Sequence, residues 1–488
     1  MSPSATAPAD AKQQAPAPPR NGLDRFFRIS ERGSSISREV RGGLATFFAM
    51  AYIIVLNPII LGSGEDKFHH HLDNAQLVTA TALMAGLTTL LMGVIGNVPI
   101  ALAAGLGINA VVSLQLAPKM SWPDAMGMVV LAGLVLMLLV ASGLRQRVMD
   151  AIPGGLRRAI AIGIGLFIAL IGLVDSGFVT RNPDKAHTTV PMGLGIEGKL
   201  QGWPVLIFVA GLALTFVLVV RKTRGAILLG MVTMTVVAVV INAVADIPGG
   251  SWGLTAPELP DKVVATPDFG LIGQVSLFGG FHEVGILTGC LFVFTVLLSG
   301  FFDAMGTIIG VGEEAGLTDK RGQLPGMGRI LMVDGVAVAG GGFGSASANT
   351  CFVESTAGVG EGARTGLANV VTGGLFLLAL VFTPLAEVVP SQAATPALVV
   401  VGFLIMAANV KEIDWSDFTI AVPAFLAMIS MPFTYSITNG IGLGVLSYLL
   451  LRIATRRTRE VPWLLSAVGL CFLVYFLLHP IQQALGSG

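Results

Sequence analysis

The sequence predicts an all-α polytopic membrane protein whose fourteen membrane-spanning segments fall into two inverted sets of seven. Three observations carry that expectation. Of 488 residues, 53% are hydrophobic and only 12% are charged, about half of the ~25% charge of a soluble domain. Apolar segments of about 20 residues recur along nearly the whole chain, each long enough to span a hydrocarbon core of about 30 Å. A β-barrel would show alternating segments of about 10 residues instead. Finally, lysine and arginine gather at alternate ends of the segments, as the positive-inside rule asks of a multi-pass protein.

Taken in order, the opening stretch "MSPSATAPADAKQQAPAPP" is rich in Ala, Pro and Ser and reads as disordered. It lacks the apolar region of a signal peptide. Arg25, Arg28, Arg32 and Arg38 follow, so residues 1–40 form a basic cytoplasmic N-terminus. The first set of spans lies at about 43–62, 75–96, 97–117, 123–143, 155–174, 203–221 and 225–244. The second lies at about 283–310, 327–340, 341–360, 365–388, 393–410, 417–432 and 434–452. With the N-terminus inside, the clusters Arg145/Arg147/Arg157/Arg158, Arg221/Lys222/Arg224, Lys320/Arg321/Arg329, Arg364 and Arg452/Arg456/Arg457/Arg459 all fall on the cytoplasmic side. The long connection at 246–282 carries Asp246, Glu258, Asp261 and Asp268 but only Lys262, which suits the outside. A last apolar segment, 461–484, starts inside; crossing the bilayer and lying in its interface are both open.

The two sets echo one another. "TRGAILLGMV" (223–232) closes the first and "TNGIGLGVLS" (438–447) the second. Seven is odd, so the second set enters the membrane with opposite orientation, and inverted repeats with interrupted helices point to a transporter and its binding site. The interrupted pair is "NVPIALAAGLGINAVV" and, in the second set, "GGGFGSASANTCFVESTAGVGEGARTG". Irregular backbone at membrane depth is tolerated only where protein or a water-filled cavity surrounds it. "FGSASANT" suits a short extended segment, and "CFVESTAGV" a half-helix whose first amides lack intrahelical partners. Glu354 sits in that first turn. If the span were drawn differently, it would be a residue of the cytoplasmic end. An ionisable group within a span costs roughly 2.5–3.5 kcal/mol and marks function by default.

Asp303 is the second acid, and spacing of four places Ser299, Asp303 and Thr307 on one helical face. Asp334 reads as structural. Tyr52, Asn57 and Thr46 on the first span are within reach of the same region, although such residues usually serve packing. Enzyme and metal chemistry find little support. The three cysteines, Cys290, Cys351 and Cys471, have no CxxC spacing, against a disulfide framework or zinc site. "HHH" at 69–71 reads as a solvated external loop, and His282 and His479 stand alone. "GVGEGARTG" is no phosphate loop, since no strand precedes it and no Lys follows. The chain lacks the Gly-x-Gly-Asp motif of intramembrane aspartyl proteases. No cofactor, resident metal or nucleic-acid partner is expected.

Five ordered stretches carry a specific likeness over about residues 40–453: "TFFAMAYIIVLNPIIL" (46–61), "NVPIALAAGLGINA" (97–110), "LRRAIAIGIGLFIALIGL" (156–173), "GFFDAMGTIIGVGEEAGL" (300–317) and "ESTAGVGEGARTGLANVVTG" (354–373). In these the chain resembles the AzgA-like purine permeases of the nucleobase–ascorbate transporter superfamily. It departs where that family commonly has Pro-Gly-Met-Gly-Leu-Asn, carrying Ala104-Gly105-Leu106-Gly107-Ile108-Asn109 instead.

The resemblance implies a core domain from residues 41–150 (spans 1–4) and 283–389 (spans 8–11). It implies a gate domain from 151–245 (spans 5–7) and 390–453 (spans 12–14), with 454–488 as a C-terminal apolar segment. Short strands in spans 3 and 10 would meet at the substrate. It further implies proton-coupled uptake of purine nucleobases (adenine, guanine, hypoxanthine) across the cytoplasmic membrane, with H⁺ rather than Na⁺ as partner and a homodimer through gate helices. A uracil/xanthine-type or anion permease on the same fold is the alternative; an anion permease would put a neutral or basic group in place of Glu354.

By position, Glu354 and Asp303 correspond to the family's two substrate- and proton-associated acids. Glu354 is then expected to accept two purine N–H groups in parallel, since an ionised acceptor roughly doubles hydrogen-bond strength. Backbone groups of Val353 and of Gly105, Leu106 and Gly107 would serve the remaining edges. Phe47, Phe48 or Phe352 would stack on the ring, with Thr350 and Ser299 alongside. Asp303, with Thr307, would exchange the proton.

Overall fold

The structure is a computed structural model of the chain and describes residues 21–143, 152–181, 192–196, 198–245, 247–252, 255–260, 262–318 and 324–484. The expected disordered leader (1–20), the basic Arg145, Arg147, Lys320 and Arg321, and the acidic Asp246 and Asp261 lie outside the described residues, as do the side chains of Asp303 and His479.

The main elements are α1 (Ile36–Met50), α2 (Ile53–Gly62), α3 (Asn74–Leu91), β1 (Leu102–Ala104), α4 (Leu106–Val111), α5 (Trp122–Ala141), α6 (Gly154–Asp175), α7 (Trp203–Val220) and α8 (Ala226–Ala245). The second half holds α9 (Ile286–Glu314), α10 (Met327–Phe343), β2 (Asn349–Cys351), α11 (Ser355–Gly360), α12 (Gly366–Ala379), α13 (Pro396–Asn409), α14 (Phe418–Phe433), α15 (Ile437–Ala454) and α16 (Trp463–Ala484). Nine helical stretches among the described residues are long and apolar enough to cross a membrane. The protein is therefore helical and multi-pass. The segment left open at 461–484 is α16, one continuous helix.

Polar residues mark where helices start. The side chains of Ser35, Asp73, Ser121, Thr365, Asp417 and Ser436 each accept a hydrogen bond from a first-turn amide of α1, α3, α5, α12, α14 and α15 respectively. That satisfies donors which the helix itself leaves unpaired. The first span is interrupted. Pro58 lies inside α2, where its ring crowds the carbonyl four residues back. The chain between α1 and α2 tightens into short-range bonds, Ile54 N to Ala51 O and Val55 N to Tyr52 O, both 3.1 Å. Tyr52 sits at this break.

The segments at 97–117 and 341–360 are strands followed by short helices, and the strands pair. β1 and β2 run antiparallel with Leu102 opposite Cys351, Ala103 opposite Thr350 and Ala104 opposite Asn349, all six buried. Non-glycine residues in the left-handed region bring the chain into each strand: Asn97 (φ 49°) before β1, and Ser345 (φ 55°) and Ser347 (φ 63°) before β2. Buried backbone must be hydrogen-bonded somewhere, and side chains complete the ribbon. Thr89 Oγ1 accepts from Leu102 N (2.9 Å) and donates to Leu102 O (2.8 Å). Ser355 Oγ accepts from Ala101 N (3.0 Å). Asn369 Nδ2 donates to Val98 O (3.0 Å) and Ile100 O (2.7 Å). Phe352 N to Ala101 O and Gly105 N to Ala348 O, each 2.9 Å, extend the pairing at both ends.

Small residues bring α1 onto α11. A Cβ at Gly358 would lie 2.2 Å from Thr46 Oγ1 and 2.6 Å from Gly42 O, and one at Gly42 would lie 2.6 Å from the Cβ of Ala363. No larger residue fits that approach. Buried Glu39 anchors the next turn, accepting from Arg364 N (2.9 Å) and Thr365 N (3.3 Å).

Candidate functional site

The crossing strands end beside a cavity of about 100 Å³, several times the ~15 Å³ that one water needs. One wall is built from α4, α9, β2 and the turn leading into α11, with Tyr52 from the first span. The facing wall is apolar: Ala161, Ile164 and Ile168 of α6, and Val401 and Ile405 of α13. A flat apolar ligand with a polar edge fits such a slot, because a few polar groups can fix its orientation while the remainder is desolvated.

Glu354 supplies the carboxylate. It is half-buried on the cavity wall, at the boundary between β2 and α11, and makes no side-chain cap on that helix. Its Oε1 accepts a hydrogen bond from the Tyr52 hydroxyl. Val353 beside it is 55% exposed, so the acid's neighbourhood opens into accessible space.

Of the other residues singled out by sequence, Phe352, Val353, Gly105, Leu106, Gly107, Ser299 and Thr307 line the same cavity. Ser299 and Thr307 both come from α9, with Asp303 on the helix between them. Thr350 lies just behind: a Cβ at Gly105 would meet its Oγ1 at 2.9 Å.

Two expectations need correction. Phe47 and Phe48 are not among the cavity's lining residues. Phe47 packs edge-on against Phe376 (ring centroids 5.1 Å apart) and against Phe48, which is 54% exposed. Of the three phenylalanines, only Phe352 is on the wall. Gly105 cannot offer its N–H to a ligand, since Ala348 O takes it at 2.9 Å; Leu106 and Gly107 open α4 and are the amides in position. Asn57 and Thr46 serve the frame. Asn57 Nδ2 donates to Thr81 Oγ1 (2.7 Å) and Ala346 O (3.2 Å), tying α2 to the approach of β2, and Thr46 packs on Gly358.

Asp334 is fully buried behind β2, with Cys351 Sγ 3.7 Å from its Oδ1. His69 and His71 lie 3.0 and 3.2 Å from the carboxylate oxygens of Glu65 in the loop after α2. The facing wall was not legible in the sequence, because isoleucines and valines of a cavity read like those of any span.

Comparisons with known proteins bear on the family and the fold. A family model described as "Permease family" matches residues 37–443. The guanine/hypoxanthine permease PbuG of Bacillus subtilis (strain 168) is 37% identical over 460 residues, covering 93% of this chain and 99% of that protein. The adenine permease AdeQ of Escherichia coli (strain K12) is 35% identical over 458 residues, covering 93% of this chain and 96% of its own.

Among solved structures, the transmembrane domain of the cyanobacterial bicarbonate transporter BicA superposes with a TM-score of 0.57 at 15% identity, over 84% of this chain and 97% of that one. The murine Slc26a9 anion transporter does so with a TM-score of 0.56 at 13% identity, over 86% and 68%. At such identities the likeness concerns the fold. With a family match over most of its length and relatives above 30% identity across nearly all of theirs, the chain belongs to the permease family.

Proposed function

We propose that this protein carries purine nucleobases of the guanine, hypoxanthine and adenine class across the cytoplasmic membrane by alternating access, coupled to protons. One observation carries the reading: among the described residues, Glu354 is the carboxylate that faces an otherwise mostly apolar slot beside the paired strands β1 and β2. A purine is a flat apolar body with adjacent N–H donors on an edge, and a carboxylate accepts two such donors in parallel. The names of the relatives, guanine/hypoxanthine and adenine permeases, support the same class.

On this reading Glu354 grips the N–H edge. The amides of Leu106 and Gly107 and the backbone of Val353 meet the other polar edges, Phe352 lies against the ring, and Ser299 and Thr307 flank it. Asp303 exchanges the coupling proton from its place on α9. Fourteen spans in two inverted repeats supply the machine. Residues 41–150 and 283–389 form a core holding the site, and residues 151–245 and 390–453 form a gate whose α6 and α13 close the slot. Residues 1–40, 246–282 and 454–488 are the cytoplasmic N-terminus, an external loop and a C-terminal segment. The N-terminus is cytoplasmic, and gate helices are the surface for a homodimer.

The test is uptake of labelled guanine, hypoxanthine, adenine and uracil into proteoliposomes under an imposed pH gradient. Purine accumulation that collapses with the gradient is expected. Glu354→Gln should lower uptake at limiting substrate by about 10- to 100-fold, the worth of a hydrogen bond to a charged acceptor. Uracil taken up in preference to purines, or an unaffected Glu354→Gln, overturns the reading. Asp303→Asn should abolish uphill accumulation while leaving exchange of purine across the membrane.

A further inference from the structure

We infer that Tyr52 is a positioning residue for the substrate-binding acid: its hydroxyl holds one oxygen of Glu354 so that the carboxylate meets the ligand already oriented. The inference rests on the purine reading for the ligand, but the contact itself does not. Tyr52 is 1% exposed, lines the cavity and donates to Glu354 Oε1.

Two independent features place the pair. The break between α1 and α2, followed by Pro58, puts Tyr52 at a discontinuity in the span. The close approach of α1 to α11, where a Cβ at Gly358 would strike Thr46 and Gly42, fixes the backbone that carries Glu354 relative to the span that carries Tyr52. Tyrosine in an apolar helix normally needs a partner for its hydroxyl, and here the binding group accepts from it.

The chemistry follows from counting acceptors. An ionised carboxylate has about four lone-pair positions on two oxygens. Tyr52 takes one on Oε1. Both oxygens still offer a lone pair, enough for two parallel N–H groups of a ligand. A glutamate carboxylate turns about a broad terminal torsion; the hydroxyl removes that freedom before the ligand arrives, which raises affinity without a new ligand contact. Tyr52 therefore acts through Glu354 and on substrate affinity, leaving the rate of the carrier's conformational cycle alone.

Two measurements on the full-length protein test this. Tyr52→Phe removes the hydroxyl and keeps the ring. Its KM for guanine should rise about tenfold, with Vmax within about twofold of wild type and an unchanged melting temperature. Difference infrared spectroscopy of the unliganded protein, wild type against Tyr52→Phe, should show a shifted carboxylate stretch that disappears when the same pair is compared in a Glu354→Gln background. A KM within twofold, a loss confined to Vmax, or a spectrum without the carboxylate band overturns the inference. Wild-type protein that takes up no purine strikes the purine reading, whereas normal wild-type uptake with an unchanged Tyr52→Phe KM strikes this inference alone.

Discussion

Gly107 sets the width of the slot. A Cβ there would lie 2.6 Å from Ile164 Cγ2 on the facing wall, inside the contact distance of two carbons. Ile164 is β-branched and stiff at χ1, so its methyl cannot swing aside cheaply. Gly107→Ala should raise KM several-fold by narrowing the cavity, and adding Ile164→Ala should return it toward wild type. Uptake kinetics of the single and double variants check this, and equal KM values in all three would mean that the facing wall does not confine the ligand. Glu354 was legible from the sequence because a carboxylate in an apolar stretch has few uses. Tyr52 was nameable but not assignable, since an aromatic residue on a span defaults to packing. Phe47 and Phe48 misled because a phenylalanine suits ring stacking on a ligand and packing against another helix equally well. Phe47 turns to Phe376 on α12 instead.

The strand pair is the element on which the site depends, and because it is buried it is also sensitive to loss of a hydrogen bond. Leu102 has both backbone groups tied to one hydroxyl, that of Thr89. Thr89→Val keeps the shape and strips both bonds, stranding a buried N–H and a buried C=O at about 1–3 kcal/mol each. The expected result is a lower melting temperature in detergent together with weakened purine uptake, because β1 leads directly into Gly105 and α4. Unchanged stability would mean that water or a local shift replaces the hydroxyl. The extended segment before α11 was anticipated from the Gly/Ser run of "FGSASANT", and its partner in span 3 from the family resemblance. Their pairing register was not legible, because the side chains that complete it come from α3, α11 and α12, which only the folded chain brings to the strands.

At the scale of the whole molecule, the slot lies between two groups of helices, and their relative movement would open it to one side or the other. One polar cluster joins the proposed core to the proposed gate. Gln115 Oε1 accepts from Ser436 Oγ and Thr438 Oγ1, each 3.1 Å away, and Thr438 Oγ1 lies 3.1 Å from Thr295 Oγ1. Gln115, Thr438 and Thr295 are buried. Hydrogen bonds shielded from water in this way hold more firmly than exposed ones. The cluster sits at the start of α15, whereas the lining residues Val401 and Ile405 lie along the middle of α13, which runs on toward Glu412, ion-paired to Arg158. On the proposed orientation, a molecule fastened at the Ser436 end would admit ligand from the Glu412 end, the side that the positive-inside rule would put in the cytoplasm. Gln115→Leu should release that fastening. Losing about 1–3 kcal/mol of buried hydrogen bonding shifts the balance between inward- and outward-open states by about 5- to 150-fold. A cysteine placed at Val353, in a background without the native cysteines, then reports the shift. Gln115→Leu should slow its labelling by an impermeant thiol reagent from the cytoplasmic face and speed it from the other. Arg224→Ala, which removes an ion pair to Glu361 from a side chain 76% exposed, should change neither rate by more than about twofold, as exposed pairs contribute about 0–1 kcal/mol. Equal labelling from both faces in the parent and in Gln115→Leu would remove the cluster from any part in holding the two halves.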